Sequence, residues 1–167
     1  ETPLETVLDL DSLRQKMLFL GLSDGQLQQV ASIARTRTFR QGETIVQREQ
    51  LDDTLYVIER GSAELRVPDD EGSEQVVSVF EKGSYVDEGY AGDFFGEMCL
   101  LDLEPRCASV IADEGGCTLW ELNRDDLYWL FGDDKELQLR ILLTVARVPS
   151  RRLGLLDAAA ATGASRG

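Results

Sequence analysis

The chain has 167 residues, 43% of them hydrophobic and 29% charged, which sets the expectation of one soluble globular domain built on a single core. Its 31 acidic residues outweigh 17 basic ones, and a formal charge of −14 repels a phosphate backbone, so nucleic acid is not an expected partner. No run approaches the roughly 18 apolar residues of a bilayer span and no signal-peptide pattern opens the chain, so direct membrane contact is not expected; lacking an initiating Met, it reads as a piece of a longer protein.

Between Leu4 and Leu20, Val7, Leu8, Leu13 and Met17 recur at helical spacing and predict a first helix. Ser23 followed by Gln26 is a capping-box pattern, and Leu27, Val30, Ala31 and Ala34 give the helix after it one apolar face. From Thr38 the period changes. Ile45, Leu55 to Ile58, Ala63 to Val67 and Val76 to Phe80 are short strand-like runs, with Gly61, Pro68-Asp69-Asp70, Gly72 and Lys82-Gly83 as turn markers between them. Ala108 to Ala112 and Cys117 to Leu122 predict two more strands. Many short strands at near-regular spacing indicate a barrel or jelly roll, so the expected class is mainly β with flanking helices.

The helical period returns after Asn123, a good N-cap, with Leu127, Leu130 and Phe131 on one face. Asp134 can start another helix carrying Leu137, Ile141, Val145 and Val148, which Pro149 ends or kinks. Trp120 and Trp129 both read as packing residues. The small-residue tail reads as a linker, and Arg151-Arg152 as its basic part rather than an inhibitory kinase pseudosubstrate.

Three cysteines, Cys99, Cys107 and Cys117, are odd in number and suit a reducing, cytoplasmic setting; their spacing matches no zinc site. The absence of histidine removes the usual metal ligand and the usual acid–base and nucleophilic dyads. No metal, no cofactor and no catalysis are therefore expected.

The chemistry concentrates in FFGEMCLLDLEPRCASV, Phe94 to Val110. If Gly96 permits a tight turn and Glu97 to Leu101 form one helical turn, free amides at its start favour an anion. Pro105 fixes the chain before Arg106, whose planar fork matches paired phosphate oxygens. Cys107, Ala108 and Ser109 are small enough for close approach. Glu97 would be repelled by a phosphate unless it accepts from hydroxyls attached to it, which means a sugar phosphate or nucleotide. The plainer reading of the same residues is a salt bridge between Arg106 and Glu97 across an ordinary loop.

This stretch resembles the phosphate-binding cassette of cyclic nucleotide-binding domains, with Phe95, Gly96, Glu97, Leu100, Pro105, Arg106, Ala108 and Val110 in place without a gap. Upstream, Gly42-Glu43-Thr44-Ile45-Val46 and Leu55-Tyr56-Val57-Ile58-Glu59-Arg60-Gly61 resemble two further elements of that family, and the likeness runs over about residues 6–148. The resemblance implies a β-roll with helical flanks: an N-terminal helical segment at 1–37, the roll at 38–122 with its cassette at 94–110, hinge and lid helices at 123–150, and a linker or disordered tail at 151–167. It implies that Arg106 grips the exocyclic oxygens of a cyclic phosphate and Glu97 takes the ribose 2′-hydroxyl, with Gly96, Met98, Cys99, Pro105, Cys107 and Ala108 as further contacts. A residue of the last helix, such as Leu143, Val145 or Arg147, would cap the base.

The chain departs from the family's pattern at several points. Cys99 stands for a usual Ala, and Cys107 for an Ala or a Thr that accompanies cGMP preference; a thiol is a poor donor, which leans toward cAMP. Leu103 replaces a glycine inside the cassette, and Glu49 and Asp52 replace glycines of a turn that keeps its last acid as Asp53. Ser84 to Gly92 is an insertion of nine residues, read as a solvated loop, with a role in ligand choice or partner contact as the sharper alternative. The expected function is a regulatory module that binds cAMP or cGMP and switches an effector, a kinase or a channel in the same or a partner chain, by closing its C-terminal helix. The alternative is a diverged domain of this fold that takes another ligand, such as a nucleoside, or none.

Overall fold

The computed structural model describes residues 8–82, 86–87, 90–101 and 104–147. Strands β1 (Arg35–Phe39), β2 (Thr44–Val46), β3 (Thr54–Pro68), β4 (Glu74–Glu81), β5 (Val86–Asp87), β6 (Tyr90–Ala91), β7 (Phe94–Phe95) and β8 (Ser109–Asn123) form one sheet. Its main path is β1-β8-β3-β4-β6-β5, with β2 paired to β8 and β7 to β3. Before the sheet come helices α1 (Leu10–Arg14) and α2 (Asp24–Ile33), and after it α3 (Arg124–Asp133) and α4, residues 135–147. The mainly β roll with helical flanks is the architecture the strand spacing predicts.

Two long strands carry the molecule, where four short ones were expected. Gly61 and the Gly115-Gly116 pair do not end strands; they adopt positive φ inside β3 and β8 and let each strand bend. The β3–β8 register slips beside Gly61, as extra residues in a ladder require. The approach there is close enough that a Cβ on Gly61 would collide with the Gly116 carbonyl oxygen. The predicted turn at 68–73 does form: the Asp69 carboxylate accepts from the Glu71 and Ser73 amides, and the Gly72 amide donates to the Asp69 carbonyl.

The first half of β3 is buried on both faces, which explains why Leu55 to Ile58 reads as an unbroken apolar run. Successive side chains point to opposite faces. Leu55 and Val57 meet Leu122, Trp120 and Phe94 on the helix side, together with Phe19, Leu27, Phe131 and Ile141. Tyr56 and Ile58 meet Phe95, Leu119 and Phe80 inside the roll. The domain therefore has two apolar clusters separated by the sheet. Trp120 is 1% exposed, as expected of a packing residue, whereas Trp129 is 69% exposed on α3 and packs in neither cluster.

The single N-terminal helix predicted to reach Leu20 is broken. Asp9 caps α1, the chain turns extended at Lys16, and a 3-10 turn follows at Met17–Phe19. The break lets Lys16 enter the interior, where its ammonium donates to the Ile58 carbonyl at 2.7 Å and lies 5.3 Å from the Trp120 ring centre. Burial pushes the Lys16 pKa below its ordinary value, and the Asp93 carboxylate opposes that shift. Val7 and Leu4 lie outside the described residues.

The capping box holds. The Ser23 hydroxyl accepts from the Gln26 amide at 3.2 Å, and the Gln26 side chain accepts from the Ser23 amide at 3.0 Å. Gln26 also donates to Asp134, whose carboxylate takes the Leu137 amide at the start of α4. These bonds, the Leu137 amide first, hold the Asp134 carboxyl below its usual range. Replacing Ser23 by Ala should cost about 1 kcal/mol of stability; urea unfolding of Ser23→Ala, with a lowered midpoint and unchanged slope, checks it.

Asn123 caps α3 through the Asp125 amide, and Leu127, Leu130 and Phe131 bury its predicted face. Leu137, Ile141 and Val145 bury that of α4; Val148, Pro149 and the tail lie outside the described residues. The inserted stretch differs from the plain loop expected. Its described backbone adds β5 and β6 to the sheet beyond β4, with β6 parallel to β4 at Val79 and Tyr90. Ser84, Tyr85, Glu88 and Gly89 lie outside the described residues, as does Leu103. No helix among the described residues is long and apolar enough to cross a membrane.

Candidate functional site

The stretch picked out in the sequence folds into a turn over the open mouth of the roll. β7 leads into Gly96, whose φ of +82° starts a 3-10 turn, Glu97–Leu100, close to the helical turn predicted at 97–101. Only glycine fits: a Cβ there would lie 2.7 Å from the Thr54 carbonyl oxygen and 3.0 Å from the Arg106 guanidinium. The predicted tight turn and the predicted arginine are thus in contact.

Arg106 is held from both ends. Its amide donates to the Gln50 carbonyl at 2.9 Å and its carbonyl accepts the Glu49 amide at 2.7 Å, so the main chain is pinned to the β2–β3 loop. Glu49, at φ +71°, is the described non-glycine residue with positive φ, at a position where the sequence comparison expects glycine. The guanidinium donates to Gly96 O at 3.0 Å and Thr54 O at 2.7 Å, and its Nη2 stands 3.6 Å from Asp52 Oδ1. Its Nε is buried and has no hydrogen-bond partner among the described residues. The side chain is only 10% exposed.

A cavity of about 370 Å³ lies against this guanidinium. Phe80, Phe95, Val46, Leu65 and Val110 form its apolar wall from the roll. Phe95 stacks 5.0 Å from Tyr56 behind it and meets Phe80, tilted, at 4.8 Å, ring centre to ring centre, so two touching aromatic rings form part of that wall. Every residue expected at the site lines the cavity: Gly96, Glu97, Met98, Cys99, Pro105, Arg106, Cys107 and Ala108. Glu97 is buried at 5% exposure and lines the cavity with Arg106, whose hydrogen bonds and ion pair described above go to Gly96, Thr54 and Asp52. Of the amides expected to serve a ligand, that of Cys99 is engaged in the turn with Gly96 O at 3.3 Å. The Ser109 hydroxyl accepts from the Arg48 amide, and Ser109 is not among the described residues that line the cavity.

Among the described residues lining the cavity, the charged ones are the cation Arg106 and the acids Glu97 and Glu104. The Tyr56 hydroxyl donates to Asp52 Oδ2 at 2.8 Å, and burial, with that bond, pushes its pKa well above the ordinary value. Burial raises Cys99 to about 11 and Cys117 to about 12, so both stay protonated thiols at neutral pH. Cys107 is exposed, and all three cysteines are free. Among the described residues no three His, Cys, Asp or Glu side chains converge to hold a metal.

Sequence reasoning missed Asp52, Thr54 and Glu104, and the apolar wall. Alternation in β3 marks Leu65 as pointing inward, but not that a cavity rather than packed core lies in front of it. The candidate base-capping residues are separated: Val145 is buried in the helix-side cluster and is unavailable as placed, while Leu143 is exposed. Among the described residues lining the cavity, none comes from α3 or α4.

The comparisons agree with this geometry. The family described as "Cyclic nucleotide-binding domain" matches residues 36–134. A cGMP-dependent protein kinase of Plasmodium berghei is 36% identical over 97 residues, covering 58% of this chain and 10% of that protein. A cAMP-dependent protein kinase regulatory subunit of Blumeria graminis is 36% identical over 115 residues, 68% of this chain and 29% of that one. The co-crystal structure of the regulatory domain of Toxoplasma gondii PKA with cAMP superposes with a TM-score of 0.59 at 29% identity, covering 71% of this chain and 41% of that one. The chain spans less than a third of the length of these curated relatives. A family match across more than half its length, on a roll whose turn, arginine and cavity converge, makes the chain a member of the cyclic nucleotide-binding domain family.

Proposed function

We propose that the cavity binds a cyclic purine nucleotide, cAMP or cGMP, and that the domain acts as a regulatory module without catalysis. One observation carries this reading: a nearly buried arginine, its Nε unpartnered, stands at the wall of an apolar cavity whose volume suits a small ligand. Arg106 meets the phosphate, Glu97 the ribose hydroxyl, and the aromatic and aliphatic wall the base. Met98, Cys99, Pro105, Cys107 and Ala108 complete the contacts. Among the described lining residues none offers a side-chain hydroxyl or amide to the base, and Cys107 is a weak donor, so cAMP is the favoured ligand.

The effector is a kinase or a channel, in the same or a partner chain. Switching requires that the ligand prefer one arrangement of cassette and helices over another, and α4 is the element that would close. Its buried face is held by Leu137, Ile141 and Val145, and its exposed one carries Leu139 and Leu143. Calorimetric titration with cAMP, cGMP and inosine tests the reading. Saturable binding of a cyclic nucleotide with none of inosine is expected; inosine binding without cyclic nucleotide would replace it with a nucleoside site.

A further inference from the structure

The turn that faces the cavity is gripped at its far end by a helix that does not touch the cavity. Its first carbonyl, Gly96 O, accepts Arg106. Its last two, Cys99 O and Leu100 O, accept side chains of α3: Arg124 Nε donates to Cys99 O at 2.7 Å, and the Tyr128 hydroxyl donates to Leu100 O. The two donors are themselves joined, with the Arg124 guanidinium 4.9 Å from the Tyr128 ring centre. Tyr128 packs edge-on against buried Phe131, ring centres 5.6 Å apart, which ties the pair to the core. Arg124 also donates its amide to Asp53 O, next to the Asp52 and Thr54 that meet Arg106.

These contacts place two arginines on opposite ends of one four-residue turn. The carbonyls at the end of such a turn lack partners within it, and here a cation and a phenol of α3 supply bonds to them. The bonds at the two ends differ in permanence. A ligand anion competes for the Arg106 fork and therefore for its bond to Gly96 O, whereas nothing in the cavity competes for Arg124 or Tyr128, which do not line it.

We propose that Arg124 and Tyr128 are positioning residues for the ligand site: from outside the cavity they fix the exit of the cassette turn, so that its entrance, once Arg106 engages an anion, pivots about Cys99 and Leu100 instead of the whole segment drifting. This rests on the reading of the cavity as an anionic-ligand site and assigns to α3 a role in affinity. A turn fixed at one end is ordered before the ligand arrives, and a turn free at both ends must be ordered by it, at a cost to affinity.

The test compares the parent with Arg124→Gln, Tyr128→Phe and the double variant by hydrogen exchange, thermal unfolding and cAMP titration. In the ligand-free double variant, exchange over residues 97–101 should accelerate while that of β3 and β8 stays at the parent rate. The loss of two hydrogen bonds should weaken cAMP binding by about 3- to 10-fold, with the two single effects not adding because both act through one turn. Arg124→Lys should recover part of the protection, since an ammonium reaches one carbonyl but lacks the aromatic stack. Unchanged exchange at 97–101 would overturn the proposal, as would acceleration shared equally by β3 and β8, which marks a general loss of stability. If the parent binds no cyclic nucleotide, the reading of the cavity fails while exchange at 97–101 still decides the anchor.

Discussion

Arg106→Ala should lose cyclic nucleotide binding by roughly one to two decades, the equivalent of about 1.5–3 kcal/mol for a charge-assisted contact. The expected loss follows from its position. It is the cation among the cavity's lining residues, whose other charged members, Glu97 and Glu104, are acids. A phosphate entering there meets one favourable charge and no substitute. The variant also leaves Gly96 O and Thr54 O without their guanidinium donor, so a change in folding must be separated from a change in binding. Arg106→Lys does this, since it keeps the charge but not the fork, and should bind between parent and Ala. Calorimetry at a temperature where circular dichroism shows all three folded gives the comparison. Parent-like affinity in Arg106→Ala would remove the cavity from consideration as a phosphate site.

Gly61→Ala should destabilise the domain by about 3 kcal/mol, combining left-handed strain of about 1–2 kcal/mol with a comparable term for overpacking. At φ +79° a side chain is strained wherever it points, and here it points at the Gly116 carbonyl of the facing strand. Main-chain atoms do not rotate out of the way, and Gly116 has no slack, because its own added Cβ would stand 2.6 Å from Phe39 O. The bend is shared by both long strands and lies beside Ala63 and Cys117 of the cluster inside the roll. For a chain of this size the loss should lower the melting temperature by about 6–12 °C. A melting temperature within a degree or two of the parent would mean that the bulge relaxes at little cost. Gly42→Ala, at similar φ but with nothing within 4 Å of the added carbon, isolates the strain and should cost about half as much.

Much of the local structure is written in short patterns. The capping box of Ser23 and Gln26, the Asn123 cap, the turn at Asp69 to Ser73 and the apolar faces of α2, α3 and α4 each depend on residues a few positions apart, and each formed as read. The cassette was legible for the same reason. Gly96, Glu97, Pro105 and Arg106 lie in one stretch, and the chemistry of a turn, a fork and a carboxylate is carried by residue type.

Other features depend on residues far apart in the chain, and there local reading went astray. Gly61 looks like a turn, because positive φ is commonest there; only pairing with the opposite long strand makes it, like Gly115 and Gly116, a bend inside a ladder. The N-terminal helix breaks at Lys16 because a carbonyl 42 positions away offers its ammonium a bond. Trp129, equal to Trp120 in composition, faces solvent because α3 turns Leu127 and Phe131 inward instead.

What the sequence alone determined was the mainly β class with helical flanks, the family likeness and the residues that line one wall of the cavity, since propensities, caps and short motifs act within a few residues. What the tertiary structure decided was that Arg106 is shared among Gly96, Thr54 and Asp52, that five apolar side chains leave a cavity before it, and that α3 grips the turn behind it. Those depend on how strands far apart in the chain come into register, and side-chain packing across that register has no signature in any single segment.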